Sequence, residues 1–143
     1  MNNIKVNTNK LSIEDLKALK RLEYNRWKPI KCPLMGGELV YFNKDGFFHL
    51  THNGQGKLRT KPDQRMRLNL LSYARKVIYR SRNFSANEKV VPPQESKIGK
   101  HIHFYELTYR FSPQKAVTVV LRRLGDGGRL HYYSIRYYKK HKI

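Results

Sequence analysis

His101–Tyr138 reads HIHFYELTYRFSPQKAVTVVLRRLGDGGRLHYYSIRYY, and the fold turns on this stretch. Three runs rich in β-branched and aromatic residues, HIHFYELTYRF, KAVTVVLRRL and RLHYYSIRYY, are separated by turn formers, the pattern of an antiparallel meander. Gly125-Asp126-Gly127-Gly128 closes the second hairpin, because glycine accepts the positive φ angles of tight turns. Side chains along a strand alternate between faces. Tyr132, Ser134 and Arg136 are therefore expected on one face, and His131, Tyr133, Ile135 and Tyr137 on the other. Arg122 and Arg123 close the preceding strand and point one to each side.

Upstream of the meander the period changes. Ser12 reads as an N-cap with Asp15 three residues on, and Ile13, Leu16, Leu19 and Leu22 follow at a spacing of three. This predicts a short amphipathic helix ending between Tyr24 and Trp27. ELVYFNKDGFFHLTH predicts a β-hairpin, with strands over 39–42 and 47–52 turning at Asp45-Gly46. After the Gly-rich basic loop NGQGKLRT, Pro62 opens a helix expected to run to Tyr79, burying Met66, Leu70, Ala74, Val77 and Ile78. Residues 81–100 read as a long polar connection holding Pro92-Pro93. The expectation is an α+β fold, with two helices on one face of an antiparallel sheet of about four to five strands. Residues 1–10 are expected to form a mobile arm and 11–143 one domain.

Charge sets the partner. Across 143 residues, Lys and Arg number 30 against 10 Asp and Glu, a formal net charge of +20. Solubility alone needs a net charge of only about 2–8. A field of this size suits a polyanion, whose phosphates release counterions when neutralised. Ten tyrosines interleaved with the cations favour nucleic acid over an anionic membrane, because aromatic faces stack on unpaired bases. The sequence has no apolar run long enough to span a bilayer, no leader-like apolar start and one cysteine, Cys32. A reducing cytoplasm is the expected compartment, and no membrane, metal or cofactor is expected.

Three constellations carry candidate chemistry. His49 and His52 sit near a strand end, with Lys57 and Arg59 on the following loop. Histidine exchanges protons near neutral pH, although two histidines beside a basic loop also suit an ordinary sheet edge. Arg122, Arg123, Ser134 and Arg136 come from paired strands, where guanidinium forks and a hydroxyl match phosphate oxygens. An amphipathic hairpin with one wet face is the competing reading. Arg65 and Arg67 lie early in the second helix, where the helix dipole disfavours cations, so a local reason for them is expected. Arg80 ends the same helix. The ten acidic residues are scattered, whereas a magnesium-dependent nuclease needs clustered carboxylates. Cleavage of a phosphodiester by His, Arg, Lys and hydroxyl groups restricts the substrate to RNA, whose 2′-OH is the nucleophile.

CPLMGG (32–37), FNKDGFFHL (42–50), QRMRLNLL (64–71) and VVLRRLGDGGRLHYYSI (119–135) resemble a group of small basic proteins of minimal bacteria and mobile elements. The layout is also similar to the metal-free ribonuclease superfamily that includes barnase, EndoU, the colicin tRNases and RelE. That resemblance implies a barnase/RelE-like fold and a metal-independent endoribonuclease, a toxin or mobile-element effector with RNA as substrate and an acidic immunity or antitoxin protein as partner. By position it implies a catalytic set of His49, Arg59, Arg122, His131 and Ser134. His52, Lys57, Arg65, Arg67, Arg80, Arg123 and Arg136 are the expected nucleic-acid contacts. His52 has no counterpart in that superfamily, the 81–100 connection is longer than its pattern, and no carboxylate of the barnase kind stands as general base. A non-catalytic RNA- or DNA-binding module is the alternative.

Overall fold

A computed structural model describes residues 10–82 and 88–138. The expected N-terminal arm, apart from Lys10, and part of the 81–100 connection lie outside the described residues.

Helix α1 (Ile13–Asn25) starts as the sequence indicates, with the Ser12 hydroxyl accepting the Asp15 N–H at 3.1 Å. Its buried stripe, however, runs at a spacing of four, through Leu16, Lys20 and Tyr24, and leaves Leu19 and Leu22 exposed. A helix turns in 3.6 residues, so a strict spacing of three drifts off one face. Lys20 is accommodated because its ammonium donates to the Ser72 hydroxyl at 2.7 Å.

Strands β1 (Ile30–Cys32) and β2 (Glu38–Tyr41) form an antiparallel pair. The hairpin expected at Asp45-Gly46 is absent: Lys44–Phe48 is a short helix, α2. Asn43 caps it by accepting the Gly46 N–H, and Asp45 lies in its first turn, where the helix dipole favours a carboxylate. Gly46 serves close approach here. A Cβ on it would stand 2.5 Å from both the carbonyl oxygen and Cδ1 of Tyr132. His49 is thus the C-cap of a helix and no strand residue, and His52 makes only an isolated bridge to Leu58.

The single helix expected over 62–79 is two. Helix α3 (Lys61–Leu70) is capped by the Thr60 hydroxyl, a 3-10 turn follows over Leu71–Tyr73, and α4 spans Ala74–Arg80. The tighter turn changes the helical phase, and Leu68, Leu70, Leu71 and Ala74 are all buried across it.

The sheet has six strands, ordered β1-β2-β6-β5-β4-β3, with β3 (Lys89–Val91), β4 (Ile102–Ser112), β5 (Lys115–Leu124) and β6 (Leu130–Tyr137). The three meander strands are as expected. The expectation of four to five antiparallel strands is corrected to a mixed sheet, because β6 inserts between β5 and β2 and runs parallel to β2. A parallel pair needs a long crossover, which the helices and β3–β5 supply. Helix α4 packs on β1, β4 and β5 over a core that includes Val77, Ile78, Leu107, Val119 and Leu121. No helix among the described residues is long and apolar enough to cross a membrane.

Register decides which side chains leave the core. Leu121 pairs with Tyr132 but Val120 pairs with Ser134, so Tyr133 is an extra, bulged residue. The expected alternation therefore fails in β6. Tyr132 turns into the core, while His131, Ser134 and Arg136 share the opposite face with Arg122.

Candidate functional site

The bulge gathers the site around Tyr133. The His49 ring lies 4.0 Å from the Tyr133 ring, centroid to centroid, and the Arg122 guanidinium lies 4.5 Å from the same centroid. Phe104 of β4 meets it edge-on at 5.3 Å. Burial raises the Tyr133 phenol above its ordinary value, so it remains a protonated donor at neutral pH.

Arg122 is held from two sides. Its Nε donates to His131 Nε2 at 2.8 Å, and its Nη2 donates to Asp45 at 3.0 Å. Because Nε2 of His131 accepts, that ring is neutral, and burial with the Arg122 charge pushes its pKa down to about 4. His131 positions Arg122 and is not itself placed to transfer a proton through Nε2.

His49 is 8% exposed. Its carbonyl accepts from Arg59 Nε at 2.9 Å, and among the described residues no hydrogen bond occupies its ring nitrogens. Burial lowers its pKa to about 4, helped by Arg59, Arg122 and Arg67 and opposed by Asp45. It is a neutral imidazole beside three arginines that are themselves paired, Arg122 with Asp45 and Arg59 and Arg67 with Asp63. The loop after it is shaped locally. Asn53 Oδ1 accepts the N–H groups of Gln55 and Lys57, and Arg59 N–H returns to the Thr51 carbonyl. Gly54 flanks the site: a Cβ there would lie 3.6 Å from the Tyr133 hydroxyl and 3.9 Å from the His49 ring.

Behind these groups, Asp63 of α3 bridges Arg59 at 3.3 Å and Arg67 at 2.9 Å. Arg67 also donates to the Ser134 hydroxyl at 3.2 Å and the Ile135 carbonyl at 2.9 Å, fastening α3 to β6. This is the local reason for a cation in the first turns of α3. Ser134 is thereby an acceptor in a structural link as well as a neighbour of the site.

The expected catalytic residues His49, Arg59, Arg122, His131 and Ser134 thus form one connected group, with Arg67 joining it. Lys57 and His52 lie on the flanking loop. The His52 ring stacks on Phe48 at 4.1 Å, and its Nδ1 is 2.8 Å from the Thr51 hydroxyl. Arg136 shares the face but is paired with Glu106 at 2.6 Å. The remaining expected contacts lie elsewhere. Arg65 donates to the Leu11 carbonyl, Arg80 ends α4, and Arg123 points to the core face, clamped on both oxygens of Glu38 at 2.7 Å.

Sequence reasoning missed Tyr133, Asp45 and Asp63 as site residues. The Asp63-Arg67 spacing of four was a readable signal, because such residues are neighbours along a helix face; Arg59, ahead of the Thr60 cap, gave none. The Tyr133 bulge left no comparable trace. Among the described residues, no group of three or more His, Cys, Asp or Glu side chains is placed to hold a metal ion. No protein-family model matches the chain, and no curated protein or solved structure is significantly similar to it.

Proposed function

We propose that this chain is a metal-independent endoribonuclease that attacks phosphorus with the substrate's own 2′-OH. The convergence of His49 and Arg122 on the ring of Tyr133 carries the reading. His49, neutral at pH 7, takes the 2′-OH proton as the 2′-O–P bond forms. Arg122, oriented by His131 and Asp45, faces the charge that develops on the phosphorane. The Tyr133 phenol gives a proton to the departing 5′-oxygen, leaving a 2′,3′-cyclic phosphate. Phosphate charge entering beside three arginines offsets the repulsion that depresses His49, so its basicity rises when substrate binds. An acidic inhibitor protein fits the same cationic face, in keeping with a toxin or mobile-element effector.

A non-catalytic RNA-binding module is the second reading, favoured by the small exposure of His49. Incubation of RNA with the protein in EDTA separates the two. The nuclease reading expects products ending in 2′,3′-cyclic phosphate and a loss of roughly 10²–10⁴-fold in His49→Ala. Intact RNA, or equal cleavage by the variant, leaves the binder.

A further inference from the structure

We infer that the groove between α1 and α2 is a nucleobase-stacking subsite for an unpaired base of the bound RNA. The inference rests on the RNA reading above and adds where the strand is gripped.

The groove has a volume of about 300 Å³ and is walled in part by Trp27, Phe42 and Phe47. Trp27 and Phe42 meet edge-on, with centroids 5.0 Å apart at 69°. Arg75, outside the wall, lies 5.7 Å and 5.5 Å from these two centroids and is fixed by the Lys28 carbonyl at 2.6 Å.

Charge selects the occupant. Arg21 and Lys44 contribute to the wall, and no carboxylate does. By contrast, the groove beside Gly125–Gly128 includes Asp126, and the groove beside Ile13 includes Glu14. The Phe47 ring is buried and covered by the Arg21 guanidinium at 4.4 Å. This leaves the half-buried Trp27 and Phe42 rings, with Lys44 nearby, as the surface for a flat, π-rich ligand that carries phosphate. Asn43 adds a polar edge. Its Oδ1 caps α2, and its amide NH₂ has no partner among the described residues, so it can donate to a base oxygen or nitrogen.

Continuity with the candidate active site strengthens the assignment. Helix α2 is only about 7–8 Å long. Lys44 and Phe47 line the groove, while Asp45 binds Arg122 and His49 caps the helix end. One strand crossing α2 can place a base in the groove and a phosphate at Arg122.

Trp27 is the sole tryptophan of the chain, so its fluorescence reports the groove without any substitution. The test titrates the intact protein with a single-stranded 2′-O-methyl RNA oligonucleotide, which lacks the attacking hydroxyl, and in parallel with inorganic polyphosphate. Binding of labelled oligonucleotide is followed separately by anisotropy. Saturable quenching of Trp27 by the oligonucleotide, with none from polyphosphate, is the expected result. Trp27→Ala should then weaken oligonucleotide binding about tenfold and leave polyphosphate binding unchanged. Salt-sensitive oligonucleotide binding without quenching overturns the subsite but leaves the RNA reading standing. Equal quenching by both ligands also overturns the subsite. Absence of any oligonucleotide binding removes the RNA reading, and the subsite with it.

Discussion

Arg122 Nε donates to His131 Nε2 at 2.8 Å across the β5–β6 ladder. The bond fixes the tautomer of one residue and the direction of the other. A histidine expected to handle substrate instead aims an arginine at the ring of Tyr133. Replacing His131 by Leu removes the acceptor while keeping an apolar side chain of similar bulk. On the nuclease reading, RNA cleavage should fall roughly 10- to 100-fold, since a hydrogen bond to a charged group is worth about 1.5–3 kcal/mol. His131→Gln, which retains an acceptor oxygen, should recover part of the loss in kcat/KM.

The two adjacent arginines should behave differently towards RNA. Arg122 faces the site, whereas Arg123 is locked to Glu38 on the other face. Arg122→Met should lower affinity and reduce the slope of log K against log salt by about 0.7, the value for one contact to a single strand. Arg123→Met should leave that slope unchanged and lower the denaturation midpoint. Binding titrations over a range of salt concentrations check both outcomes.

Gly46→Ala should destabilise the fold by about 1–3 kcal/mol, as overpacking does in a well-packed interior. Its Cβ would meet the Tyr132 carbonyl at 2.5 Å, and a β6 carbonyl has little freedom to retreat. A shift in the urea midpoint with unchanged m-value is the measurement.

His49 and His131 both fall from an ordinary 6.5 to about 4 in the folded protein. Protons then bind the unfolded chain first, so stability is full above about pH 7 and drops as pH falls from 6.5 towards 4. Each histidine contributes on the order of 2–3 kcal/mol to that drop. His103 has the opposite sign. Hydrogen bonds to Asp126 and Glu88 raise its pKa, so its contribution is present below 6.5 and is lost as pH rises through the raised value. Thermal midpoints measured from pH 4 to pH 7 should fall less steeply in His49→Phe than in the wild type.

Activity should follow the same residue. On the nuclease reading, a bell-shaped profile near neutrality is expected, and it should lose one limb without His49. The environment of His49 moves the acid limb of kcat/KM, which reports the free protein, down towards pH 4. The limb of kcat should lie higher, because bound phosphate offsets the charge of Arg59, Arg122 and Arg67. Rates measured under both regimes check the separation.

Much of this protein is legible residue by residue. The Ser12 cap, the meander from β4 to β6 and the cationic surplus depend on local conformational preference or on simple summation. Residues 44–48 were misread because Asp-Gly suits both a hairpin turn and a capped helix start. The choice between them belongs to Tyr132, whose backbone lies against Gly46 although it is 86 positions away in sequence.

The amino-acid order alone therefore determined an α+β chain with a basic surface and a histidine- and arginine-bearing set of candidates. Tertiary structure alone decided that β6 runs between β2 and β5, that Tyr133 bulges, and that His131 faces Arg122 while Arg123 turns away. The reason is physical. Strand order and register follow from which distant apolar faces pack together, and a one-residue slip in register exchanges the two faces of a strand.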